Sequence, residues 1–224
     1  MDLLVLSFTK EQRALYDTLL NEDDVILDFD VDLPAFKNHH TCDVHLVAQS
    51  IENECAHLFE FKKYDSLFSV FMTVEEIKRF IPMYYDVIRK IESIRRRVGS
   101  DAWILSYKIE ELNNICKDMY QRYTDFLPYK AALGNREKYA TKIADLDVKF
   151  KQSIKKSEEE KAELMARCEQ LNKLNDIIRN FFDKSSDATD SPKFKKFDAY
   201  EFFFVLEGFC AQITALKNEK QKEM

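Results

Sequence analysis

KIADLDVKFKQSIKKSEEEKAELMARCEQLNKLNDII, residues 142–178, runs without a glycine or a proline. Apolar residues recur in one heptad register at both ends: Ile143, Leu146 and Phe150 first, then Leu164, Leu171, Leu174 and Ile178. This spacing predicts one long helix. Between the ends the seam positions Ser153, Ser157 and Glu160 are polar, so residues 151–163 are expected to form a solvated span bridging two packing sites. A chain organised around such an element is expected to be all-α, an elongated bundle of long helices with coiled-coil-like segments.

The rest of the chain supports that class. Three glycines and four prolines in 224 residues leave few turn formers, which favours few, long elements. A 46% hydrophobic content supplies a core, and 33% charged residues supply solvated helix faces. The net charge of −6 disfavours duplex DNA and anionic membranes as partners of the bulk surface. Five scattered cysteines with no CxxC pair read as reduced thiols, which points to the cytoplasm or the nucleus. The start, Met1-Asp2-Leu3-Leu4-Val5-Leu6, lacks a basic region ahead of its apolar run, so no signal peptide is read there.

Upstream, Leu15, Leu19 and Leu20 suit a short helix closed by Asn21-Glu22-Asp23-Asp24. Residues 25–32 then alternate in their second half and predict an extended segment or a short edge strand. Val44, Val47, Ile51, Cys55 and Leu58 make one helical stripe. Thr73 with Glu76 is a capping-box pattern, opening a helix with the stripe Ile77, Ile81, Tyr84, Ile88, Ile91 and Arg95. A kink or restart is expected at Pro82 and a stop at Gly99, where Arg95-Arg96-Arg97 would meet the C-terminal dipole. Asp101 is expected to cap a further helix with the face Ile104, Tyr107, Leu112, Ile115, Met119, Tyr123 and Phe126, ending before Pro128. Gly134-Asn135 reads as a turn between helices, residues 183–196 as a loop, and Phe203, Leu206, Cys210, Ile213 and Leu216 as a last helix that frays into a polar tail.

Candidate chemistry is sparse. His39, His40, Cys42 and His45 cluster but match no common zinc spacing, and a polar loop before a helix explains them more simply. Cys55 and His57, two residues apart on a helix, point in different directions and make no catalytic pair. No glycine-rich phosphate loop exists. Glu158-Glu159-Glu160 reads as a solvated face. Phe181-Phe182 and Phe202-Phe203-Phe204 exceed what one helical stripe needs, so some are expected to serve a partner surface. No enzyme activity, cofactor, metal or small-molecule substrate is expected.

The order of features resembles the C-terminal part of a formin homology-two domain. Val44-His45-Leu46-Val47 leads through Ile51 and Leu58-Phe59 to Phe61. Met72-Thr73-Val74-Glu75-Glu76-Ile77 opens the next helix. Phe181-Phe182-Asp183, a Ser/Asp loop, and Tyr200-Glu201-Phe202-Phe203-Phe204-Val205-Leu206 with Phe209 close the series. The likeness covers roughly residues 33–224. The chain departs from the family in lacking the tryptophan-bearing lasso and the Gly-Asn-x-x-Asn signature, and in placing Glu163 where the family carries a basic actin-holding residue. The resemblance implies a helical protein-interaction module of cytoskeletal origin, with actin as the family's partner. It divides the chain into a short irregular or helical segment over 1–40, a formin homology-two-like region over 41–216 and a polar tail over 217–224.

Two functions compete from these expectations. One is an actin-directed module using Lys149, Lys151, Lys155, Lys156 and Lys161 against an acidic filament surface. The other is a dimerisation or scaffolding module, in which the long helices or the aromatic region with Phe181, Phe182, Phe202 and Phe204 cover a second copy of the chain.

Overall fold

A computed structural model describes residues 3–34, 42–62, 74–189 and 199–219. Among these residues lie six helices: α1 (Leu3–Leu6), α2 (Lys10–Asn21), α3 (Val44–Lys62), α4 (Val74–Leu133), α5 (Glu137–Thr189) and α6 (Ala199–Glu219). No strand occurs among the described residues, and the all-α class of long helices holds.

The boundaries differ from the sequence reading where local punctuation competes with packing. α4 runs unbroken through Pro82, Gly99 and Pro128, so neither the stop at Gly99 nor the fresh start at Asp101 occurs. A glycine costs a helix about 1 kcal/mol and a proline about 3 kcal/mol, whereas each buried large apolar side chain stabilises by about 1.5–3 kcal/mol. Buried Phe80 and Val87 flank Pro82, Val98 and Ala102 flank Gly99, and Phe126 and Leu133 flank Pro128. The seam outweighs the breakers. Its register is also shifted: Leu105, not Ile104, is buried, and Tyr107 is exposed. The break at Gly134 is real, because a Cβ there would lie 2.6 Å from the Lys130 carbonyl oxygen. α5 continues to Thr189, so residues 183–189 are helical rather than a loop. Thr73 of the capping box, His39 and His40 lie outside the described residues.

The chain forms two compact units, Met1–Asn38 with Tyr107–Met165, and His39–Ser106 with Ala166–Met224. α4 and α5 each contribute one half to each unit.

In the first unit the α4–α5 hairpin is closed by the N-terminal segment. Thr9 caps α2, accepting from the Gln12 backbone N–H at 3.2 Å while the Gln12 side chain accepts from the Thr9 N–H at 3.0 Å. After α2 the chain is extended, and the alternation read in the second half of this stretch runs through all of it: 25, 27, 29, 31 and 33 face inward and the even positions face solvent. It is not a strand, because its partners are helices. The Val25 N–H donates to the Tyr139 hydroxyl at 2.9 Å, and that hydroxyl donates to the Asp23 carbonyl at 3.0 Å. Arg136 donates to the Glu22 carbonyl at 2.7 Å, Arg122 to the Asp30 carbonyl at 3.2 Å, and Ser153 to the Val31 carbonyl at 2.7 Å. Side chains thus satisfy backbone groups that a sheet would otherwise satisfy. Phe29 seats edge-on against Phe126, Tyr129 and Phe150.

The middle of the α5 seam is packed, which overturns the expected solvated span. The seam steps from Phe150 to Ile154 rather than to Ser153, then to Ser157, whose exposure is 0%. The Ser157 hydroxyl donates to the Ile154 carbonyl at 2.8 Å, so a small polar residue is buried with its hydrogen bond made inside its own helix.

In the second unit α3 buries the stripe read from the sequence: Val44, Val47, Ile51, Cys55 and Leu58. Asp43 caps it, accepting from the His45 N–H at 2.8 Å. α3 packs against α6. The last turn of α6 includes Lys217, read as tail, whose ammonium lies 2.6 Å from Glu52.

Candidate interaction surface

The two sets of candidate residues separate once the helices are in place. Lys151 is paired with Asp147 at 2.8 Å, Lys155 with Glu159 at 3.7 Å and Lys156 with Glu160 at 4.0 Å, each one turn away on α5. Lys149 is exposed and Lys161 is half-buried. The lysine run is therefore interleaved with its own counter-charges. Exposed pairs of this kind contribute little to stability, yet they cancel much of the positive field an acidic partner would sense.

Asp147 is the exception in strength. Burial works to raise its pKa, but donors from Lys130 at 2.8 Å, Lys151 at 2.8 Å and Tyr123 at 2.9 Å outweigh burial and hold its carboxyl down at about 2. This is a clamp between α4 and α5 within the first unit, not a reactive group.

The aromatics divide differently. Phe181 is buried and stacks on Phe209 with centroids 4.3 Å apart. Phe202 is buried, edge-on to Tyr84 at 5.0 Å and to Phe80 at 6.1 Å. These two belong to the core of the second unit, which corrects their reading as partner-facing. Phe182 is half-buried with the Arg95 guanidinium 5.9 Å above its ring. Phe204 alone of the four stands in solvent, at 69% exposure.

Phe204 forms the lip of a shallow open groove of about 100 Å³ between α5 and α6. Ile177, Phe181 and Lys184 line it from α5, and Phe204, Gly208 and Gln212 line it from α6. One turn beyond Phe204, a Cβ on Gly208 would meet nothing within 4 Å, so the helix surface is hollow there. Ala211 and Ala215 continue the exposed face with small side chains. A glycine in an otherwise apolar helix, four positions after an aromatic, was the sequence signal for this groove.

The remaining candidates are structural. Arg95 and Arg96 both hold Glu92, at 2.7 Å and 3.3 Å, and Lys90 holds Glu54 at 2.8 Å. Because α4 continues past them, they do not sit at a helix C-terminus. Cys42 is half-buried, and burial followed by hydrogen bonding to Asp101 pushes its thiol up to about 11. Among the described residues no three His, Cys, Asp or Glu side chains gather as a metal site. No helix among them is long and apolar enough to cross a membrane. The chain matches no protein-family model, no curated protein and no solved structure.

Proposed function

We propose that this chain is a non-enzymatic helical interaction module that pairs with a second copy of itself through the outer face of α6. The observation that carries this reading is Phe204, a solvent-exposed aromatic ring set one turn from the Gly208 hollow on the same face. A face bearing both a protrusion and a recess is self-complementary, and a two-fold axis lets each ring enter the other copy's groove. A closed cavity of about 150 Å³ holds a benzene molecule, and an open groove of about 100 Å³ is of the size to receive most of one ring. The exposed Ala211 and Ala215 allow the partner backbone to approach. Aromatic anchors in recesses carry much of the energy of protein interfaces.

Sedimentation equilibrium from low to high micromolar concentration tests this. The expected result is a concentration-dependent shift from one-chain to two-chain mass, abolished in Phe204→Lys and in Gly208→Leu. A one-chain mass throughout would overturn it.

The resemblance to formin homology-two domains supports a cytoskeletal setting as a second reading, with the exposed Lys149 of α5 facing an acidic partner. Co-pelleting with actin filaments tests it. Pelleting lost in Lys149→Glu would favour this reading, and a chain left in the supernatant would remove it.

A further inference from the structure

α3 and α6 pack against each other, and several contacts fix their register. The Lys217 ammonium donates to Gln49 and to Glu52, both at 2.6 Å, and the Thr214 hydroxyl donates to Glu52 at 2.7 Å. Further along, the rings of Phe59 and Phe203 have centroids 6.4 Å apart. Numbers rise along α3 as they fall along α6, so the helices are antiparallel. Between the Glu52–Thr214 and Phe59–Phe203 contacts this register sets Cys55 opposite Cys210. The two thiols are close enough to interact, Cys210 being the largest influence on the Cys55 thiol. Both are free cysteines; Cys55 is fully buried and Cys210 is half-buried.

We propose that Cys55 and Cys210 are a modification site: a dithiol that a disulfide oxidant such as glutathione disulfide converts to an intramolecular disulfide fastening α3 to α6. Facing positions on closely packed helices suit the short Cβ–Cβ separation a disulfide needs. The half-buried Cys210 is the entry point. Its thiolate attacks one sulfur of the oxidant, forming a mixed disulfide and releasing one thiolate. Cys55 then gives up its proton to solvent and attacks the Cys210 sulfur, expelling the second. Two protein thiols and one oxidant disulfide become one protein disulfide and two small thiols, with two electrons passing to the oxidant.

The other cysteines are placed differently. Cys42 is hydrogen-bonded to Asp101, while Cys168 lies 3.6 Å from the Ser106 hydroxyl and 3.7 Å from the Asn172 amide. The interaction with Cys210, with burial, pushes the Cys55 thiol far above its usual pKa. Oxidation accelerates as pH rises, since the thiolate is the attacking species. The two residues are 155 positions apart, so the bond closes most of the chain into one loop and restricts the unfolded state strongly. This site lies on the buried side of α6 and does not depend on pairing through the outer face.

The test uses the full chain incubated with millimolar glutathione disulfide at pH 8.5, then alkylated in denaturant and weighed. The expected result is three of the five cysteines alkylated, with a peptide map joining Cys55 to Cys210. The thermal midpoint should rise by on the order of 10 °C and return on adding dithiothreitol. Cys210→Ala should keep four alkylatable thiols and show no rise, whereas Cys42→Ser should close as the parent chain does. The proposal is overturned by five alkylated thiols, by Cys210 carrying glutathione with Cys55 still free, or by a bond joining any other pair. A mapped Cys55–Cys210 bond with a lowered midpoint would overturn the fastening.

Discussion

The two units close the same kind of helix pair by different means. In the first, an extended strap is held by side chains of α4, α5 and the turn between them that reach its backbone: Arg122, Arg136, Tyr139 and Ser153. In the second, α3 and α6 satisfy their own backbones and contribute apolar stripes. A strap depends on a few specific donors, while a helix depends on a continuous face. The first arrangement concentrates stability in particular hydrogen bonds and the second spreads it over packing.

Core truncations should be large in both units. Phe126→Ala and Leu171→Ala each remove a buried side chain, at 0% and 1% exposure, and should cost about 3–5 and 2–5 kcal/mol in denaturant melts. A loss below about 0.5 kcal/mol for either would mean that its unit does not depend on that seam.

Acid should act on the first unit through Asp147. Its folded pKa lies below its ordinary value, so its contribution is present above the unfolded pKa near 3.8 and is lost as pH falls towards about 2. The expected loss is about 2 kcal/mol between roughly pH 5 and pH 2. Asp147→Asn should flatten that part of the stability profile, and an unchanged slope would remove the clamp from the comparison.

Tyr139→Phe deletes one hydroxyl that serves two strap backbone groups, the Val25 N–H and the Asp23 carbonyl. It should cost about 1–2 kcal/mol and raise amide exchange at residues 22–33 ahead of α3 and α6. Uniform exchange across both units would dissolve the contrast. Lys156→Ala, at an exposed pair 4.0 Å long, should stay within about 0.5 kcal/mol.

What could be read from the sequence follows the same physics. The α3 stripe and the alternation in the second half of residues 25–32 were legible because each is a local period set by one buried side. Gly99 misled because a breaker's cost is local while the seam that overrides it spans the whole of α4. Ser153 was read into the seam in place of Ile154 because a three-residue step and a four-residue step are equally regular on paper. Phe202 looked like surface because its companions, Phe80 and Tyr84, lie more than a hundred residues earlier, and Phe181 because its companion, Phe209, lies on another helix. For the same reason nothing in the spacing of the cysteines put Cys55 opposite Cys210: the register between α3 and α6 exists only in the fold.

The strap also sets an order of events during folding. Lys130 and Asp147, beside the Gly134 turn, are 17 positions apart, whereas the strap's bonds join residues 92 to 122 positions apart. Closing the short hairpin loses less chain entropy than closing the long loop, so the hairpin is expected to form in the nucleus and the strap to dock after the barrier. Substitutions at Phe29 should then speed unfolding and leave the folding rate nearly unchanged, while those at Ile143 should slow folding. Stopped-flow chevrons for the two variants would show whether the N-terminal segment is the last part of the first unit to arrive and the first to leave.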